Sequence, residues 1–263
     1  KYKNIFVIDI DEIFANYGYQ KCFDNRNYIL FRCRLSVGGI NILSKYFLEI
    51  IKQLTLSNKK VLLLDCDNTI WGGVLSEDGL QNIQIGQDGV GIAYLEFQKA
   101  VKKLKNNGVI IVLVSKNELT EVKNVLKKNS NMILKDKDIT AYKVNWKEKS
   151  KNILELSKDL MLGLDSFVFW DDNPIEREKV KQKLKDVHVI EPNEDISGWA
   201  KQLLEFKGFS KFGLTKEDLS KTQQYKNREK FVNDKKNFKD EIKYLKSINI
   251  KYKIDYLKDT NID

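Results

Sequence analysis

Two aspartates one residue apart, Asp65 and Asp67, close the apolar run Val61-Leu62-Leu63-Leu64. Two residues apart on an extended chain, their side chains are expected to face the same way. Carboxylates held that close repel each other unless a cation lies between them or one keeps a proton. A small set of oxygen ligands suits Mg²⁺, which keeps several waters and takes substrate phosphate oxygens as further ligands. A second apolar run ends at Ser115-Lys116-Asn117, where a hydroxyl and the amides of a following helix can hold an anion. Lysines follow at Lys147, Lys149 and Lys151, around the start of another helix, where an ammonium can neutralise a phosphoryl group in transit. A further apolar run, residues 166–170, stops at Asp171-Asp172-Asn173-Pro174.

Each piece also has a plain structural reading. The aspartates can be strand-end caps, Ser115 a helix N-cap, the lysines solvated side chains, and one of Asp171 and Asp172 only a cap on the next helix. What separates the two readings is the set of elements that would position these residues. Short continuous apolar runs read as strands of a parallel sheet buried on both faces: residues 61–64, 109–114, 139–144, 166–170 and 187–190. Between them, apolar residues on a helical period place helices at 89–106, from Leu119, through Met161, at 175–184 and at 196–206. Strand and helix alternate, so the fold class is α/β with a parallel sheet, and such sheets bind ligands beyond the carboxyl ends of their strands. All four polar clusters fall at or just beyond strand ends. Gly72, Gly73 and residues 76–88 read as an irregular insert, a flap over the site.

The flanks are less regular. Residues 4–10 read as a strand, and Gly38-Gly39 as the opening of a helix to about Leu54. Asp9-Ile10-Asp11 repeats the Asp-x-Asp pattern without its companions and reads as a strand end. From Thr215 the chain turns rich in Lys, Asn, Asp and Glu with sparse apolar positions, as in exposed helices that need a partner to be stable. The expected domains are a partial N-terminal α/β region at 1–57, the main domain at 58–207 and a C-terminal helical extension at 208–263. The first residue is Lys1, which fits a piece of a longer chain.

The string Asp65-Cys66-Asp67-Asn68-Thr69-Ile70-Trp71-Gly72-Gly73-Val74, followed by Glu77-Asp78-Gly79, resembles the first motif of the haloacid dehalogenase superfamily, and in its long form the FkbH-like branch. Ser115, a lysine in the spacing Asn145-Trp146-x-x-Lys149, and Asp171-Asp172 match the three later motifs in order. The resemblance is specific over residues 60–195. It implies a Rossmann-like sheet of the haloacid dehalogenase type. It also implies Asp65 as phosphoryl-accepting nucleophile, Asp67 as acid and base, and Thr69 as a loop tie. Ser115 and Lys149 would then hold phosphate with Lys116 and Asn117 beside them, and Mg²⁺ would sit among Asp65, Asp67 (through its carbonyl), Asp171 and Asp172. The FkbH-like branch further implies release of phosphate from 1,3-bisphosphoglycerate and loading of the glyceryl group on an acyl carrier protein. Cys66 is then a candidate acyl-carrying thiol, although alternate strand positions point apart and flanking carboxylates raise a thiol's pKa. The alternatives are a plain phosphatase of a small or sugar phosphate, which needs no carrier, and a non-catalytic binding module.

The resemblance implies a phosphorylated small-molecule substrate; composition by itself admits nucleic acid, acidic partners or anionic substrates. Lys and Arg number 46 against 37 Asp and Glu, a formal charge of +9. Because the lysines spread along helices and are not clustered among aromatics, nucleic acid is not the expected partner. The three cysteines form no Cys-x-x-Cys pair, which fits a reducing, cytoplasmic setting. No apolar run approaches membrane-spanning length, and neither a signal peptide nor a membrane partner is expected. His188, the only histidine, alternates with apolar neighbours and reads as an edge or surface residue.

Overall fold

The structure, a computed structural model, describes residues 7–55, 59–209, 224, 225, 227 and 228. Five strands form one parallel sheet in the order β3-β2-β1-β4-β5: β1 Val61–Leu64, β2 Ile110–Ser115, β3 Ala141–Val144, β4 Phe167–Trp170 and β5 His188–Val189. Every strand matches an expected apolar run: β1 as expected, β2 shifted by one residue to end at Ser115, and β3, β4 and β5 trimmed by a residue or two. β1 lies at the centre, with Leu64 in register with Leu113 on one side and Trp170 on the other.

Helices cover both faces, and the strand residues divide between them with period two. Leu62, Leu64, Ile111, Leu113, Val168 and Trp170 join the apolar cluster of α5 (Gly91–Asn106), α6 (Leu119–Lys128) and α9 (Trp199–Glu205). Val61, Leu63, Ile110, Val112, Phe167 and Phe169 join the cluster of α7 (Lys149–Leu160) and α8 (Pro174–Lys183). The helices start and stop on local chemistry. Asn173 caps α8 by accepting from Ile175 N at 2.9 Å, with Pro174 at the first position, where no N–H is missed. Past the end of α5, Gly108 takes φ +81°, a left-handed turn that costs glycine nothing.

The N-terminal flank differs from expectation. In the described part of the strand expected over residues 4–10, residues 7–9 have no regular structure, and α1 (Ile10–Tyr17) begins at Ile10. Asp9 is the N-cap, its carboxylate accepting from Glu12 N at 3.0 Å, so the second Asp-x-Asp opens a helix instead of closing a strand. With α3 (Val37–Thr55) and the turn at Tyr19–Cys22, α1 encloses a small cluster around Ile13, Phe14 and Cys22, while α2 (Asn25–Phe31) buries no residue. The helix opening at Gly38-Gly39 is α3, where Gly39 lies too close to the Cys22 carbonyl for a side chain to fit. The helices expected beyond Thr215 lie outside the described residues, apart from four positions. Among these, Tyr225 packs against the α7–α8 cluster and Arg228 Nε donates to Asp159 O at 3.1 Å. No helix among the described residues is long and apolar enough to cross a membrane.

One buried polar side chain ties the loop after β1 to the segment before β3. Gln98 on α5 donates from Nε2 to Ile70 O at 2.6 Å, and its Oε1 accepts from Ile133 N and Leu134 N at 2.9 and 3.0 Å. Replacing it with Leu keeps volume but orphans two buried N–H groups and a carbonyl. Gln98→Leu is expected to lower stability by about 2–4 kcal/mol, read from urea unfolding. A loss under about 0.5 kcal/mol would show that these backbone groups find other partners.

Candidate active site

The strand pleat that sorts the core also sorts the polar residues at the strand ends. Asp65 continues the parity of Val61 and Leu63, and Asp171 that of Phe167 and Phe169, so both carboxylates turn to the face covered by α7 and α8. Lys149, the first residue of α7, enters from that face. Its Nζ lies 2.8 Å from Asp65 Oδ1 and 2.6 Å from Asp171 Oδ2, and all three side chains are buried. Burial works against the lysine's charge, but the two carboxylates outweigh it and hold the ammonium well above its ordinary pKa.

Asp172 joins from the same loop. Oxygens of Asp65, Asp171 and Asp172 all lie within 4.8 Å of one another. Thr69 Oγ1 donates to Asp172 Oδ1 at 3.2 Å and accepts from Asp172 N at 3.3 Å, clamping the loop after β1 to the loop after β4. Burial, then the charge of Asp65, pushes the Asp171 carboxyl up to about 6, against Lys149, and raises Asp172 as well. Three carboxylates face one ammonium, and Asp65 Oδ1 is buried with the Lys149 ammonium, 2.8 Å away, as its charged neighbour. A hard divalent cation fits this donor set: oxygen ligands only, with surplus negative charge.

Asp67 goes elsewhere. β1 ends at Leu64 and the chain bends at Cys66, so the two aspartates do not sit on one extended segment. Asp67 Oδ1 accepts from Trp71 Nε1 at 3.0 Å and Leu75 N at 3.1 Å, and Oδ2 from Asn117 Nδ2 at 2.8 Å. The expected pair of carboxylates facing one cation is therefore corrected: Asp65 shares its cluster with Asp171 and Asp172, and the Asp67 side chain is turned toward the flap. Burial raises the Asp67 carboxyl against these three bonds, with Asp65 adding to the rise. The flap is more regular than expected. It contains α4 (Leu75–Asn82), kinked at Gly79, and its base is closed by paired hydrogen bonds between Gly72 and Gln84.

Ser115 and Asn117 are buried beside Asp67, with Asn117 Nδ2 also 3.3 Å from Ser115 Oγ. Lys116 is not brought to the carboxylates; its Nζ pairs with Glu176 at 3.1 Å. Cys66 is corrected too. It follows the parity of Leu62 and Leu64 into the opposite core cluster, where it is fully buried. Burial, then Asp65, pushes its thiol well above the ordinary value, which disfavours the thiolate. His188 lies on the edge strand, stacked on Phe206, away from the site.

Trp71 and Arg177 were missed by the sequence reading. Trp71 sits inside the first motif, four residues past Asp67. Arg177 Nη1 donates to Asp171 O at 2.8 Å and Asp172 O at 2.7 Å. Its signal was its place in the first turns of the helix after Asp171-Asp172, since helical side chains lean toward the N-terminus.

No family model matches the chain, and no curated protein matches it. Among solved structures, the chain is similar to the N-terminal part of the protein BF1531 from Bacteroides fragilis, containing phosphatase domain complexed with Mg. The identity is 40% and the TM-score 0.64, over 77% of this chain and 55% of that chain. The fold is the Rossmann-like α/β fold of the haloacid dehalogenase type. The present chain spans about half the length of the chain it matches.

The raised Asp171 carboxyl makes cation binding pH-dependent. A carboxyl whose folded value lies above its ordinary 3.8 holds its proton longer in the folded state, so its contribution to stability is lost as pH rises from about 4 to about 6. A divalent cation binds the ionised form and recovers that loss. The rise in melting temperature on adding Mg²⁺ is therefore expected to be larger at pH 7 than at pH 5, read by differential scanning fluorimetry. Equal shifts at both pH values would contradict it.

Proposed function

We propose that the chain is a Mg²⁺-dependent phosphotransferase or phosphatase acting on a phosphorylated small molecule, with Asp65 as the nucleophile. The observation that carries this reading is the buried cluster of Asp65, Lys149, Asp171 and Asp172 at the carboxyl end of the central strand. The likeness to a Bacteroides fragilis chain described as containing a phosphatase domain complexed with Mg supports it. The unit that carries the chemistry is residues 58–207, with 1–57 and 208–263 as flanking regions.

In this reading an Asp65 oxygen attacks phosphorus, forms an aspartyl phosphate and expels the leaving oxygen. Asp67 gives that oxygen a proton, then takes one from the water that hydrolyses the aspartyl phosphate. Its raised carboxyl suits a group that must hold a proton before it gives it up. Ser115 and Lys149 bind the phosphoryl oxygens, and Asn117 orients Asp67 and Ser115. Held by Asp65, Asp171 and Asp172, Mg²⁺ would supply positive charge to the phosphoryl oxygens. The flap, anchored on Asp67 through Leu75 N, excludes water from the site.

The finer form of the proposal follows from the FkbH-like motifs: the substrate is 1,3-bisphosphoglycerate, and the glyceryl group passes to an acyl carrier protein. With Cys66 buried in the core, the carrier thiol attacks the C1 acyl carbon directly and displaces the C1 phosphate as the thioester forms, while Asp65 takes the phosphoryl group from the C3 oxygen.

Asp65→Asn is expected to abolish phosphate release from acyl and sugar phosphates, and Asp67→Asn to slow it by about 10²–10⁴-fold. A malachite-green assay with Mg²⁺ reads both. Phosphate release by Asp65→Asn at the parent rate would overturn the mechanism. Incubation with 1,3-bisphosphoglycerate and a carrier protein, followed by intact mass, reads the finer form. Phosphate release without any carrier adduct would leave the plain phosphatase.

A further inference from the structure

We propose that Arg177 is a positioning residue that sets the two carboxylates of Asp171 and Asp172 for a divalent cation, a role that rests on the cation reading above. Four contacts fix the loop that carries them. Lys149 holds Asp171 Oδ2 at 2.6 Å, Asn173 N donates to Asp171 Oδ1 at 2.9 Å, and Thr69 holds the Asp172 carboxylate. These three act on side chains, and Thr69 Oγ1 also accepts from Asp172 N at 3.3 Å. The fourth acts on the backbone between them: one guanidinium nitrogen, Arg177 Nη1, donates to both carbonyls, Asp171 O and Asp172 O.

That double contact determines the direction in which both side chains leave the chain. The two peptide units next to the carboxylates cannot rotate without breaking a hydrogen bond to a charged donor, the stronger kind. Arg177 is itself fixed at both ends. Its backbone N donates to Asn173 O at 3.1 Å, closing the first turn of α8. Its Nε donates to Glu191 Oε2 at 2.7 Å, and Glu191, just beyond β5, also pairs with Lys181. The Arg177 side chain is 11% exposed and its Glu191 partner 54%, so the buried end faces the loop and the exposed end is the anchor. A lysine cannot reproduce this, because only a planar guanidinium presents Nη1 and Nε at a fixed angle to two sites at once. Groups that orient metal ligands commonly tune affinity without touching the ion.

The test is isothermal titration of the full chain with MgCl₂, and with MnCl₂ as a second probe, on the parent and on Arg177→Met, Arg177→Lys, Glu191→Gln and Asp171→Asn. Circular dichroism at the titration temperature checks that each is folded. The expected result is a dissociation constant about 10–100-fold weaker in Arg177→Met, a smaller loss in Arg177→Lys and a few-fold loss in Glu191→Gln. A residue that only supports the fold would lower the melting temperature and leave the constant of the folded protein unchanged. Parent-like affinity in folded Arg177→Met overturns the inference. If that variant does not fold, parent-like affinity in both Arg177→Lys and Glu191→Gln overturns it. Loss of binding in Asp171→Asn with retention in the Arg177 variants would sink this inference alone. A parent that binds neither ion sinks the cation reading with it.

Discussion

A buried ammonium between two buried carboxylates is the constraint on which the site depends. Lys149 lies within 2.8 Å of Asp65 and 2.6 Å of Asp171, with almost none of the three exposed to water. Taking any one of these charges out of water alone costs several kcal/mol, and removing one partner from such a group leaves an uncompensated charge. The three therefore stand or fall together, and each comes from a different element. The sheet order explains how they meet. β1 and β4 are neighbours, while β3, which precedes α7, lies on the far side of β2. The crossover from β3 to β4 must pass the carboxyl end of β1, and α7 makes that crossing with Lys149 at its first residue.

Which face each polar residue serves follows from the pleat. The two-residue period sends Val61, Leu63 and then Asp65 to the α7–α8 side, and Leu62, Leu64 and then Cys66 to the α5–α9 side. Neighbours in sequence thus reach opposite environments: one carboxylate meets a lysine, one thiol meets a core. The same rule aligns Asp171 with Asp65 across the β1–β4 pair, because Leu64 and Trp170 are in register and the next residue on each strand points the same way.

Much of this was readable in the sequence, and what was not has a physical cause. The five strands were legible because a parallel sheet buried on both faces writes continuous apolar runs, such as Ile110-Ile111-Val112-Leu113-Val114. Ser115 and Asp171 could be placed because they stand where those runs stop, and Lys149 only through the spacing Asn145-Trp146-x-x-Lys149 of the family resemblance. Residues 7–10 misled because an apolar stretch too short to arbitrate reads equally as a strand, and only the cap from Asp9 to Glu12 N decides for a helix. Gln98 and Arg177 were illegible for another reason. Each acts on backbone groups brought close only by the fold, Gln98 across 35 residues to Ile133 N, and no local pattern records that.

The separation of Asp65 from Asp67 is the last consequence of where β1 ends. Had the strand continued, both side chains would face Lys149, and one ammonium would have to balance a fourth carboxylate. The bend at Cys66, directly past the strand end, prevents this. It gives Asp67 three donors of its own, one from the indole of Trp71, one from the first turn of α4 and one from Asn117 after β2. Two of the three belong to the segment that forms the flap and its root. The carboxylate that stays near the lysine is thereby held by fixed strands, and the one that leaves is held by a loop with glycines at 72, 73 and 79. Rigid support suits a group that must stay within bonding distance of a cation or a phosphorus atom. In the proposed mechanism, support from the flap suits a group whose hydrogen bonds are exchanged when a substrate oxygen arrives, since two of the donors to Asp67 belong to that segment while Asp65 meets Lys149 of α7.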